Sequence, residues 1–194
     1  MKKLILFILL SLCVTLQASS TWSPGIMTSG TSAAANGLVG NSASAGASAG
    51  PGDGIWYWTT STSTAAGTVR YIHAYVEENE AGTSSACFAI WNDNGGVPGT
   101  QVGSCSITWE DNSIPGWQYC DMGSDKTITN ATTYHVGMAE TAGVVSFYKT
   151  GDGSAIEYDI GGYSACTDAN LTDDGDTGTQ DMAIFVDNVD QAGP

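Results

Sequence analysis

From Gly54 onward the chain is a succession of short runs rich in Thr, Val, Ile, Tyr and Trp, each ended by Gly, Asn, Asp or Pro. No other feature constrains the fold so much. β-Branched and aromatic side chains suit a pleated, half-buried surface, and the punctuating residues supply tight turns between antiparallel strands. No apolar pattern of period 3.6 runs long enough to make an amphipathic helix. The runs place strands at 55–60, 68–77, 86–91, 101–108, 116–121, 133–140, 144–150, 155–160 and 181–186. That density fits one all-β domain over 54–194, a jelly-roll-like antiparallel β-sandwich.

Residues 21–53 have a different texture and read as an N-terminal arm. Within 28–50 there are seven Ala, five Gly and five Ser, and only Leu38 and Val39 are bulky. Such a stretch cannot bury enough apolar area to offset its own ordering entropy. Two readings follow: a flexible linker, or a strand that orders by joining a neighbouring subunit's sheet. On the second reading Leu38, Val39, Ala43, Ala45, Ala47 and Ala49 are the assembly contacts.

Residues 1–20 read as a secretory signal peptide. Met1-Lys2-Lys3 is a positive start, 4–16 an apolar run, and Gln17-Ala18-Ser19-Ser20 a small-residue cleavage region. The apolar run is short for a membrane span. Its removal leaves Arg70, Lys126 and Lys149 against 20 acidic residues, a charge of 3 − 20 = −17. A polyanion with so few cations is a poor partner for nucleic acid or anionic lipid. The expected product is secreted or extracellular, with no membrane insertion after cleavage.

Cys87, Cys105, Cys120 and Cys166 remain after the leader, an even count that reads as two disulfides in an exported chain. No Cys-x-x-Cys spacing supports zinc. The segment 86–91, the turn cluster Asn92-Asp93-Asn94-Gly95-Gly96-Val97-Pro98-Gly99, and 100–106 read as a hairpin. Its midpoint near Gly96 favours pairing Cys87 with Cys105, which leaves Cys120 with Cys166.

A recurring order of pieces follows: Ile72-His73-Ala74-Tyr75-Val76, Ala89-Ile90-Trp91-Asn92-Asp93, Gly96-Val97-Pro98-Gly99-Thr100, Gly116-Trp117, and Ile128-Thr129-Asn130-Ala131-Thr132-Thr133-Tyr134-His135. In order and spacing this resembles the secreted bacterial jelly-roll modules known as choice-of-anchor or DUF4082-like surface domains, over about residues 54–150. Asn130-Ala131 stands where Ala-Gly is usual, and His135 where Trp is usual. The resemblance implies a non-catalytic β-sandwich used for display, adhesion or glycan contact, and carries over no catalytic residues.

Chemistry-bearing residues are few. His73 alternates with Tyr71 and Tyr75 on one strand face, and His135 sits mid-strand; both read as structural histidines. No nucleophile elbow or metalloprotease motif occurs, and the chain is not expected to be an enzyme. Asp168, Asn170, Asp173, Asp174 and Asp176 concentrate hard oxygen ligands in one loop, either a solvated turn or a structural Ca²⁺ site. Trp56 and Trp58 share one strand face and, with Tyr71 and Tyr75, are the candidate glycan contacts, the alternative for the tryptophans being the core. The favoured function is an extracellular structural or adhesive subunit, a homo-oligomer or filament joined by its arm. The alternative is a secreted carbohydrate-binding, lectin-like module that is calcium-dependent if the acidic loop holds the ion. The sequons Asn130-Ala131-Thr132 and Asn170-Leu171-Thr172 matter only in a host that glycosylates them.

Overall fold

The computed structural model describes residues 39–41, 47–49, 54–78, 82–110, 116–161, 166–167 and 171–188. Its strands are β1 (Val39–Gly40), β2 (Ala47–Ala49), β3 (Trp56–Thr62), β4 (Gly67–Glu78), β5 (Thr83–Asp93), β6 (Pro98–Glu110), β7 (Gly116–Ile128), β8 (Thr133–Ala142), β9 (Val145–Asp159), β10 (Gly175–Met182) and β11 (Ile184–Asp187). All pairings are antiparallel. The protein is an all-β sandwich, as the alternation of strand runs and turn clusters predicts.

Two sheets pack face to face. One runs β7-β4-β11-β1, the other β6-β5-β8-β3. The long strand β9 joins them, because Val145–Phe147 pairs with β4 while Glu157–Asp159 pairs with β3. The sequence suggests two strands here, split by Gly151-Asp152-Gly153. Pairing with β10 instead continues on both sides of that triplet, and register shifts absorb the extra residues.

Period-2 alternation fills the space between the sheets. Ile72, Ala74 and Val76 of β4, with Ile184 and Val186 of β11, face Phe88 and Ile90 of β5 and Val136 and Met138 of β8, all buried. Each removes apolar area from water at about 25 cal/mol per Å². Tyr57 and Phe147 close the layer with ring centroids 5.3 Å apart.

The disulfides are Cys87–Cys166 and Cys105–Cys120, with Cα separations of 5.0 and 5.8 Å. This corrects the expected Cys87–Cys105 and Cys120–Cys166 pairing. In the β5–β6 hairpin, Cys87 stands opposite Ser106, and Phe88 opposite Cys105. Cys87 and Cys105 are therefore one residue out of register, and one residue of offset puts side chains on opposite faces of a sheet. Cys105 points inward with Phe88 and ties β6 to β7 across the sandwich. Cys87 points outward and ties β5 to the segment after β9.

The described part of the arm belongs to these sheets. Val39 pairs with Val186 and is fully buried, and Ala47, Ser48 and Ala49 pair with Lys149, Tyr148 and Phe147, all within the same chain. Gly40 has φ 105°, and a Cβ there would strike the Ile184 carbonyl oxygen and come within 2.8 Å of the Phe185 Cα. Only glycine fits that close backbone approach. Leu38, Ala43 and Ala45, like the leader at 1–20, lie outside the described residues. No helix among the described residues is long and apolar enough to cross a membrane.

Candidate functional site

Each sheet also has an outer face, and the two differ. On β3, β8 and β5 the outward residues are Trp56, Trp58, Ala139, Cys87, Ala89 and Trp91, and all are buried. Gly137 of β8 makes room for this layer: a Cβ there would collide with the Tyr57 carbonyl oxygen and approach the Trp58 Cβ to 2.8 Å. Trp56 meets Trp91 edge-on, with centroids 4.9 Å apart, and Trp58 Nε1 donates to Glu157 at 2.5 Å. The cover comes from Leu171 and from Cys166, which is bridged to Cys87 and accepts a bond from Gln101 Nε2 at its carbonyl.

Trp56 and Trp58 are therefore not glycan contacts, contrary to the sequence expectation. They are fully buried because Leu171 and Cys166, the latter held by its disulfide to Cys87, pack on the sheet's outer face and give the sandwich a second apolar layer. Asp159 is buried and accepts bonds from the backbone of Gly161 and Thr172 and from the Thr172 hydroxyl. Asp173 accepts from Gly175 N, and Asp174 from Ile160 N. The Asp173 carboxylate thus satisfies the backbone of its own turn, as short acidic side chains commonly do, while Asp174 reaches the backbone just after β9. Among the described residues no group of three His, Cys, Asp or Glu is placed to hold a metal ion. Asp168 and Asn170 lie outside the described residues, as does the side chain of Asp176.

His135 lies at the end of the tryptophan layer, opposite Thr60 on one side and Trp91 on the other. The fully buried ring spans 3.0 Å from Nδ1 to the Thr60 hydroxyl and 2.9 Å from Nε2 to Asp93 Oδ1. When Nε2 donates to Asp93, Nδ1 accepts from Thr60. Burial pushes the His135 pKa down, opposed by the Asp93 hydrogen bond, while His135 and the Gly96 N–H hold Asp93 below the usual carboxylate range. A His whose folded pKa is depressed contributes stability that is complete above about pH 6.5 and is lost as pH falls below it. Asp93 contributes in the same direction at lower pH. Thermal melts should show Tm falling below about pH 6.5, with a flatter profile for His135→Asn; parallel profiles would exclude this origin.

The outer face of the other sheet carries a row of aromatic rings. Along β4 the outward positions are Tyr71, His73, Tyr75 and Glu77. Their register partners are Asp121, Tyr119 and Trp117 on β7, and Asp187 and Phe185 on β11. Tyr75 is edge-on to Trp117 at 5.5 Å and to Tyr148 of β9 at 4.9 Å. Trp117 meets Phe185 at 5.1 Å, and Tyr71 meets Tyr119 at 6.0 Å. Beneath the row His73 stacks on Phe185 at 4.6 Å, and its Nε2 lies 2.9 Å from Asp187 Oδ1, both side chains being buried. Tyr71, Tyr75, Trp117, Tyr119 and Tyr148 are half-buried.

Charged groups frame the row. A β-bulge between Val69 and Tyr71 lets Arg70 reach Asp121, which it grips through Nε at 2.9 Å and Nη2 at 2.8 Å. Its guanidinium lies 5.8 Å from the Tyr71 ring centroid. The Arg70 hydrogen bonds and charge hold Asp121 below the usual carboxylate range and push the Arg70 pKa up. At the other end the Tyr148 hydroxyl donates to Glu77 Oε2 at 3.1 Å. Partial burial, then this bond to Glu77, raises the Tyr148 pKa.

Of the four sequence candidates for glycan contact, the structure thus brings Tyr71 and Tyr75 together on one half-buried outer face and places Trp56 and Trp58 in a buried apolar layer. Sequence reasoning missed Trp117, Tyr119 and Tyr148. The alternation Trp117-x-Tyr119 carries the same period-2 signal as Tyr71-x-His73-x-Tyr75, but only strand pairing shows that the two sets face the same way. The chain matches no protein-family model, and no curated protein matches it.

Proposed function

We propose that this chain is an extracellular carbohydrate-binding β-sandwich module whose recognition surface is the aromatic face of β4, β7 and β9. The observation that carries the reading is the row Tyr71, Tyr119, Trp117, Tyr75 and Tyr148, held rigid by edge-on packing and bordered by Arg70, Asp121 and Glu77. Aromatic rings offer large apolar area at low conformational cost, and sugars present apolar C–H faces to such rings with hydroxyls at the edge. Glu77, half-buried beside Tyr148, keeps acceptor capacity beyond its bond from the Tyr148 hydroxyl for such sugar hydroxyls. The leader and the two disulfides support an oxidising, extracellular setting.

Trp117→Ala tests the reading. The ring is half-buried, so the fold should survive, while affinity for a bound oligosaccharide should fall by roughly tenfold or more. A glycan array probed with the native protein identifies that oligosaccharide, and calorimetry on the variant reads the loss. No glycan bound, or undiminished affinity in the variant, would overturn the reading.

A second reading rests on the arm. Val39 seals the sheet beside β11, and a copy of the same strand from a neighbouring subunit would fit identically, linking subunits into a filament. A Val39→Cys, Val186→Cys pair tests this, because the two positions face each other in register. Cross-links between chains in the secreted protein support exchange, and cross-links confined to single chains exclude it.

A further inference from the structure

We propose that the aromatic face prefers glycans bearing free, protonated amines over neutral or acidic ones; the inference rests on the carbohydrate reading and names the sugar class. The argument is electrostatic. Around the row stand three carboxylates, Glu77, Asp121 and Asp187, and one permanently charged cation, Arg70, so the local sum without His73 is 1 − 3 = −2. Arg70 is not free to receive an acidic sugar. Its fork is committed to Asp121 at 2.9 and 2.8 Å, and the guanidinium already lies by the Tyr71 ring. Asp121 is occupied as well, by Arg70 and the Gly123 N–H. Asp187 is buried against His73.

Glu77 differs from these. It is half-buried beside Tyr148 and Tyr75 on the same face, and its one recorded partner is a neutral hydroxyl. A cation stacked near those rings is attracted by their π faces and by this carboxylate together. A uronate or sulfate at the same place would meet Glu77 with like charge and find Arg70 already engaged. The whole chain, with a formal charge of −15, adds attraction of the same sign at longer range.

The test uses the full secreted chain with its disulfides intact. It is titrated with glucosamine oligomers, their N-acetylated counterparts and oligogalacturonate of equal length, in weakly acidic buffer where the sugar amines are protonated. Tryptophan fluorescence and calorimetry give the affinities. Glucosamine oligomers should bind about tenfold more tightly than the acetylated ones, and oligogalacturonate most weakly. Glu77→Gln should bring the ratio of amine to acetyl affinity close to one. Glu110→Gln removes the same charge from β6 in the other sheet, where Glu110 is exposed and bonded to Thr83 Oγ1, and should leave that ratio intact. Equal affinity for amine and acetylated oligomers, or an equal fall of the ratio in both variants, would overturn the preference while leaving the carbohydrate reading in place. Binding of no oligomer of any charge would overturn that reading, and the preference with it.

Discussion

Replacing Cys87 and Cys166 together by Ser should lower the unfolding free energy by roughly 2–5 kcal/mol and shift tryptophan emission to the red. The bridge spans 79 residues, so its loss returns a large loop entropy to the unfolded chain, about 4.5 kcal/mol on the chain-entropy account. It also frees the segment that covers Trp56, Trp58 and Trp91. The Cys105, Cys120 pair spans only 15 residues, and the same account gives about 3 kcal/mol. That second double variant should shift tryptophan emission less, since Trp56, Trp58 and Trp91 lie on the opposite face of the sheet from its bridge and only Trp109 packs in the core with Cys105. Chemical denaturation with fluorescence detection reads both quantities. The connectivity can be read directly: after non-reducing cleavage by trypsin and then at aromatic residues, the peptide with Cys166 should be joined to the one with Cys87. A Cys166–Cys120 peptide would refute the assignment and the predicted spectral difference.

Trp91→Ala should cost about 3–5 kcal/mol, the range for deleting a buried aromatic from a packed layer. The side chain is fully buried, edge-on to Trp56, beside His135 in register. Its loss leaves a cavity bounded by a rigid sheet on one side and a disulfide-held segment on the other, so collapse around it is restricted. Trp117→Ala is the comparison. That ring is half-buried on the opposite outer face, and its deletion should cost clearly less stability while removing ligand binding. A Trp117→Ala protein destabilised as much as Trp91→Ala would mean that the aromatic face is a structural layer.

These comparisons turn on a distinction that residue type cannot make. Trp58 and Trp117 both sit in strand runs with polar neighbours, and both alternate with another aromatic at spacing two. One is fully buried and the other half-buried. The difference is made by Leu171 and Cys166, more than a hundred residues beyond Trp58. Similarly, the acidic residues near Asp173 suggest calcium by composition; the structure adds that Asp173 accepts from the backbone of its own turn and Asp174 from the Ile160 N–H, fourteen residues earlier. His73 and His135 read as structural by default. The structure adds what holds them: buried Asp187 for one, Thr60 and Asp93 for the other.

The sequence by itself determined the all-β class, the approximate strands and the hairpin from Thr83 to Glu110, because alternation of side chains and turn residues is a local property of the chain. It also carried the even set of Cys87, Cys105, Cys120 and Cys166 and the low cation count. Tertiary structure alone decided which cysteines meet, because hairpin register must be known to a single residue before a face can be assigned. It decided too that Val39 closes a sheet in its own chain, that the tryptophans of β3 are covered, and that Tyr71, Tyr75, Trp117 and Tyr148 share one face. Each of these depends on pairing between segments distant in sequence, where the order of strands in space is not the order in the chain.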